Sequence, residues 1–250
     1  LTRDHPDLIL LSESFTRPKV MKELARIGFT QSYTYFAWRD HRWELERYYH
    51  ELHLTEVGDY FRPNSWPNTP DILTPFLQHG GRPAFVQKLV LAATLTANYG
   101  IYGPPFELML NQARPGAEEY LDNEKYEIHH WDLDKPSSLR EMIARVNRIR
   151  RDNPALQQDR IFDLHHVDND HLLAFSKADR DRENVVLVVV NLDTNWPQAG
   201  TTWLDMDALG LAHDARFEVH DRIGEARYVW QGPRNYVDLD PHVTPAHILV

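Results

Sequence analysis

Up to about Arg151 the chain alternates between short apolar runs and longer stretches with helical spacing. The first run, "LILL" at residues 8–11, shows no alternation, the pattern of a strand covered on both faces, as in a parallel sheet wrapped by helices. Residues 18–27, rich in Lys, Glu, Leu and Ala, predict a helix stopped by Gly28. Residues 29–38 are aromatic and β-prone, and a helix of mixed charge follows over 43–53. Pro63, Pro67 and Pro70 punctuate the segment 59–71; after Gly80-Gly81, residues 84–97 predict a strongly apolar helix and 99–102 another strand. "SLRE" at 138–141 reads as a capping box, followed by Leu139, Met142, Ile143, Val146 and Ile149 at helical spacing as far as Asn153-Pro154.

Beyond that point the pattern changes. Short β-prone runs at 172–176, 185–191, 216–219, 227–230, 236–239 and 246–250, separated by turn signals, predict an antiparallel β-sandwich. A domain boundary near 155 therefore divides the chain into an α/β part (1–155) and an all-β part (156–250). The α/β part holds about four βα units, which imply a parallel sheet with right-handed crossovers. Four units are half of a closed (β/α)8 TIM barrel, and an open sheet of four cannot bury its edges. The chain is then either part of a larger barrel or a smaller doubly wound sheet. It begins at Leu1 rather than Met, just before the first strand, and reads as a piece of something longer.

Composition removes several classes of function. Hydrophobic residues are 42% and charged residues 26%, ordinary globular usage rather than that of a disordered chain. Acidic residues outnumber basic ones 37 to 27, for a net charge of -10, and no basic run with interleaved aromatics offsets this; nucleic acid is not an expected partner. No apolar run approaches the ~18 residues of a membrane span. The chain has no cysteine, which excludes disulfides and thiolate metal sites and is compatible with a reducing, cytoplasmic setting. Fourteen histidines raise the question of a metal. The pairs His129-His130 and His165-His166 diverge on a strand, and His50 and His53 lack the four-residue spacing of a helical zinc pair, so neither metal nor cofactor is expected.

Three polar groups fall at predicted strand ends: Glu13, "NTPD" at 68–71, and "EKYE" at 124–127. In a barrel, strand ends on that side face one cleft. Paired carboxylates in a cleft suit glycosidic chemistry, in which one acid protonates the departing oxygen and a second carboxylate stabilises or attacks the cationic sugar ring. Phe15 would supply an apolar flank that keeps Glu13 protonated, and Trp38, Tyr60, Phe61, Trp66 and Tyr102 offer flat faces for pyranose rings or for the core. Arg17 is read as a structural ion-pair partner, Asn64 and Asn68 as turn residues beside prolines, and the acidic run 179–183 as a solvated hairpin turn.

"LLSESFTRP" resembles the region of the alpha-amylase superfamily that carries the general acid, and "PNTPDIL" stands where that superfamily has an Asn-His-Asp triplet. With "IGFTQSYTYFAWR", "YFRPNSWPNTPDIL", "EYLDNEKYEI" and "NVVLVVVNLD", nearly the whole chain is similar to one branch, the bacterial alpha-1,4-glucan:maltose-1-phosphate maltosyltransferases. The resemblance implies Glu13 as general acid/base, Asp71 as the carboxylate that steadies the transition state, and Lys125 and Tyr126 as ligands of maltose 1-phosphate. Thr69-Pro70 in place of the usual His removes a histidine contact to the sugar. The nucleophilic aspartate of the family lies on the strand before the general acid, and Asp4 and Asp7 are too close to Glu13 to stand for it. The resemblance thus implies a C-terminal part, inactive alone, of a retaining transferase that is homodimeric at full length, with maltose 1-phosphate and alpha-1,4-glucan as substrates. A hydrolase or trehalose synthase of the same superfamily, and a non-catalytic carbohydrate-binding fragment, are the competing readings; dependence on maltose 1-phosphate with phosphate release separates them.

Overall fold

A computed structural model describes residues 3–250. Strands β1 (Leu11–Ser12), β2 (Gln31–Tyr33), β3 (Pro63–Ser65) and β4 (Asn98–Tyr99) form one parallel sheet in that order. The connections carry α1 (Pro18–Arg26), then α2 (Arg42–Leu54) and α3 (Val57–Tyr60), then α4 (Pro75–His79) and α5 (Gly81–Leu95). After β4 come α6 (Gly103–Glu107) and α7 (Arg140–Asp152). Pro18 opens α1 with a φ already suited to the helix, and Gly28, at φ 119°, turns the chain back toward β2. The Glu44 carboxylate reaches back to accept from the His41 N–H at the start of α2. Helix α5 is buried over residues 84–95, which is why its sequence is apolar on every face.

One polar residue of α5 has a constructive role. Lys88 is fully buried, and its ammonium donates to the carbonyls of Phe36, Ala37 and Arg39 at 2.8–3.3 Å while pairing with Asp40 at 2.7 Å. It closes the 3-10 turn Tyr35–Trp38 that follows β2. Burial lowers its pKa, with the Asp40 carboxylate opposing the shift.

The second part contains β5 (Phe162–Val167), β6 (Leu172–Ala178), β7 (Val185–Asn191), β8 (Gln198–Trp203), β9 (Arg216–His220), β10 (Arg227–Gln231), β11 (Arg234–Leu239) and β12 (Ala246–Leu249). Six of them form an antiparallel sheet in the order β11-β8-β5-β6-β7-β12, while β9 and β10 form a hairpin. His220 and Val250 exchange backbone hydrogen bonds beyond the end of β12, so the hairpin continues the ladder and nearly closes it. The separate layers of the expected sandwich are therefore joined at one side. Val167, Leu187, Val189, Val219, Trp230 and Leu249 share the apolar core between sheet and hairpin. The opposite face of the sheet contributes Phe162, Phe175, Val188 and Ile248 to a larger core with Phe36, Leu45, Leu89 and Phe106.

Several local expectations need correction. Of the first apolar stretch only Leu11 pairs as strand, together with Ser12; β1 lies at the sheet edge, and Ile9 just before it is 67% exposed. The box expected at 138–141 does not form: Ser138 donates to the Glu107 carboxylate and accepts from Arg140 N–H, and α7 starts without a side-chain cap. Strands β5 and β8 were not expected, since His165, His166 and the "QAGTTW" run lack a clear apolar alternation. "EKYE" lies within the long connection between α6 and α7, not at a strand end. The acidic run does form the turn between β6 and β7.

Candidate active site

The parallel strands all exit on one edge of their sheet. Ser12 pairs with Ser32, Tyr33 with Asn64 and Ser65 with Tyr99, so the residues that follow each strand arrive side by side. Buried serines at 12, 32 and 65 keep the strand ends slim. Aromatic rings continue from one strand exit to the next. Phe15, after β1, packs against Tyr33 (6.1 Å between centroids), Tyr35 and Trp38, and Tyr33 packs on Trp66 at 5.2 Å. Trp66 in turn lies flat on the backbone after β4, where a Cβ at Gly100 would sit 2.2 Å from its ring. Glycine is required there for close approach.

Glu13 follows β1 directly, is exposed, and makes no hydrogen bond or ion pair among the described residues. Its charge reaches Tyr33, whose hydroxyl is pushed up in pKa by burial first and by Glu13 second. The apolar enclosure expected from Phe15 does not form around it, because Phe15 turns to the aromatic cluster instead.

Asp71 lies beyond β3 in a tight turn closed by reciprocal backbone bonds between Thr69 and Ile72, with its N–H donated to Thr69 Oγ1 at 3.2 Å. Its carboxylate is exposed and holds the Lys125 ammonium at 2.6 Å, which raises the lysine pKa. Tyr126 is also exposed, its ring 5.6 Å from Lys125 Nζ. Asp71 and Lys125 are thus brought together, Tyr126 flanks them, and Glu13 stands at another strand exit of the same edge.

The residues that build this arrangement were largely missed as site residues. Asn68 is fully buried: its Oδ1 accepts from Tyr102 N–H at 3.0 Å and its Nδ2 donates to the Tyr120 hydroxyl at 2.8 Å. It ties the exits of β3 and β4 to the long connection. Asn123 donates to the carbonyls of Pro70 and Tyr120 and accepts from Lys125 N–H at 3.0 Å, fixing the backbone beneath the ion pair. Tyr102 donates to Glu124 Oε2, and Trp131 Nε1 to the other oxygen of that carboxylate. Trp38 Nε1 donates to Glu118 Oε2 at 2.6 Å. Asn68 reads in the sequence as a turn residue beside prolines, and Trp38 and Tyr102 as flat faces for sugar or core; no sequence signal marks Asn123, Tyr120 or Trp131. Among the described residues no group of three or more His, Asp or Glu gathers as a metal would require, and no helix is long and apolar enough to cross a membrane.

Comparison with known proteins bears on this site. Over 99% of its length the chain is 48% identical to the alpha-1,4-glucan:maltose-1-phosphate maltosyltransferase of Chlorobaculum tepidum and 50% identical to that of Salinibacter ruber. It is 48% identical over 98% of its length to that of Mycobacterium tuberculosis. Over nearly its whole length the chain is thus similar to these maltosyltransferases. It spans little more than a third of the relatives' length, 38% and 37% for the first two. Residues 164–250 match the family described as GLGE, C-terminal. Solved alpha-amylases share the fold at low identity: the Anoxybacillus enzyme has a TM-score of 0.71 at 14% identity, covering 100% of this chain and 54% of the amylase. A maltogenic alpha-amylase from Thermotoga neapolitana has a TM-score of 0.69 at 13% identity, covering 99% and 55%. The chain thus presents Glu13, Asp71 and Lys125 on one edge of a fold shared with amylases.

Proposed function

We propose that residues 1–155 are the C-terminal half of a (β/α)8 barrel and 156–250 its C-terminal β domain, acting in transfer of maltosyl units from maltose 1-phosphate to alpha-1,4-glucan. The observation that carries the reading is the Asp71–Lys125 pair at 2.6 Å, a carboxylate and a cation side by side at the strand exits of a chain about half identical to named maltosyltransferases. A cation suits the phosphate of the donor, and a carboxylate suits the hydroxyls of the reacting sugar. Glu13 serves as general acid/base, Asp71 steadies the transition state, and Lys125 and Tyr126 hold maltose 1-phosphate.

The attacking carboxylate comes from the part of the relatives' length that this chain does not cover. It bonds to the anomeric carbon as the bond to phosphate breaks and Glu13 gives its proton to the departing oxygen, leaving a β-maltosyl-enzyme, free phosphate and an ionised Glu13. Glu13 then takes the proton of an acceptor 4-hydroxyl while that oxygen displaces the carboxylate, restoring the α configuration. The same reading makes the full-length protein a cytoplasmic homodimer. The test replaces the matching segment of the Chlorobaculum tepidum relative with this chain and measures phosphate release from maltose 1-phosphate with a glucan acceptor. Release should be robust, and fall at least a thousandfold in Glu13→Gln and Asp71→Asn. Release independent of maltose 1-phosphate chemistry, or unaffected by both substitutions, would overturn the reading.

A further inference from the structure

Two loops meet beneath the exposed Asp71–Lys125 pair, and they are held in unequal ways. The loop that carries Asp71 closes on itself through the bonds between Thr69 and Ile72, and Leu73 N–H donates to Glu118 O just beyond. Lys125 has less support. Its side chain is 41% exposed, and the ammonium rides on a flexible four-carbon stem. Its partner Asp71 is 50% exposed, and an ion pair open to water on both sides restrains a lysine only weakly. The direction of the stem is therefore set by the backbone that carries it.

One side chain organises that backbone. Asn123 is 3% exposed, and both ends of its amide are used. Oδ1 accepts from Lys125 N–H at 3.0 Å, and among the described residues that N–H has no other acceptor. Nδ2 donates to Tyr120 O at 3.2 Å and to Pro70 O at 3.3 Å, the carbonyl of the residue before Asp71. Serving one N–H and two carbonyls takes an acceptor and two donors on one planar group, a set that asparagine has and ionised aspartate or serine lacks. Tyr120 is held in turn through its hydroxyl by Asn68, so the amide is anchored to the β3 exit by two routes.

We propose that Asn123 is a positioning residue for the donor: its amide aims the Lys125 ammonium at the place the phosphate takes, and so sets donor affinity without touching the substrate. This rests on the proposed role of Lys125 in holding maltose 1-phosphate. The unequal support of the two loops gives the direction of the effect. Without the amide, Asp71 keeps its closed turn, whereas Lys125 loses the bond that fixes its backbone N–H. Donor binding weakens while the chemical step is largely kept.

A double-mutant cycle in the Chlorobaculum tepidum chimera tests this. Asn123→Ala should raise both KM for maltose 1-phosphate and the inhibition constant of inorganic phosphate about fivefold, the equivalent of one net hydrogen bond, with kcat within about threefold of the parent. Asn123→Asp keeps the oxygen that faces Lys125 N–H, and both constants should lie closer to the parent than to the alanine variant. In a Lys125→Ala background, Asn123→Ala should change either constant less than about twofold, because no ammonium remains to be aimed. Urea unfolding supplies the control, since a merely structural loss is the same in both backgrounds. Equal effects on the two constants in both backgrounds, a fall in kcat at unchanged KM, or an aspartate variant no better than alanine would overturn the proposal. A chimera that releases no phosphate refutes the catalytic reading, and calorimetric titration of the same proteins with inorganic phosphate then decides the role of Asn123 by the same cycle. Absence of phosphate binding by the parent overturns both.

Discussion

Asn68→Ala tests how the strand exits are held together. Asn68 is fully buried and makes two well-formed bonds, from Tyr102 N–H at 3.0 Å and to the Tyr120 hydroxyl at 2.8 Å, with a weaker contact to Tyr102 O at 3.4 Å. Each good bond is worth about 1 kcal/mol net, and truncation also strands a buried N–H and a buried hydroxyl at a further cost of about 1–3 kcal/mol. The expected loss is about 2–4 kcal/mol, which for a chain of this size lowers the midpoint of thermal unfolding by roughly 5–15 °C. Urea unfolding followed by circular dichroism gives the free energy directly. In the chimeric enzyme the same substitution should lower kcat/KM for maltose 1-phosphate, because Asp71 lies three residues farther along the same loop. A stability loss under about 0.5 kcal/mol would refute the assignment of Asn68 as the tie between the two exits.

Gly100→Ala places a Cβ 2.2 Å from the Trp66 ring, so the indole must leave its seat on β4 and its contact with Tyr33; a loss of about 1–3 kcal/mol and altered tryptophan fluorescence are expected. Lys125→Ala should leave the unfolding temperature unchanged, since the ion pair is exposed, yet raise KM for maltose 1-phosphate in the chimera at least tenfold. His53 and His165 are buried, and burial lowers the pKa of each from 6.5 to about 4. Between those values the unfolded chain binds more protons than the folded one, so stability complete above pH 6.5 is lost as pH falls toward 4. Each histidine contributes up to about 3 kcal/mol to that loss, and urea midpoints from pH 7 to 4.5 should fall less steeply in His165→Gln than in the parent.

Much of the architecture was legible because its signals are periodic. The apolar all-round pattern of α5, the helix opened by Pro18 and turned at Gly28, and the valine-rich β7 all appear close to where the sequence places them. Strands β5 and β8 were illegible because their outward positions carry His166 and Thr201 and their inward ones a glycine and a histidine, so neither hydrophobicity nor alternation marks them. Of the site, the charged residues could be named from motifs, but not the neutral ones that support them. Asn68, Asn123 and Tyr120 act through buried hydrogen bonds to groups distant in the chain, and an asparagine beside proline looks the same whether it solvates a turn or anchors three segments. The exposure of Glu13 and the edge position of β1 depend on which neighbours exist, which a single strand's pattern does not encode.

The passage from α7 into β5 has a consequence for recombination between relatives. Asn153 donates to Ile149 O and accepts from Asn184, and the Gln158 amide donates to the carbonyls of Ala155, Ile161 and Ala178. The larger core runs on without a break from Met21 to Ile248. A crossover placed here would cut through a seam with no slack, and the donor of the downstream strands would have to bring a matching underside for α5 and α7. Exchange of this portion is therefore governed by the fit of two interior surfaces, and chimeras between distant members should aggregate unless the counterparts of Phe162, Phe175 and Val188 travel together with those of Leu89 and Val146.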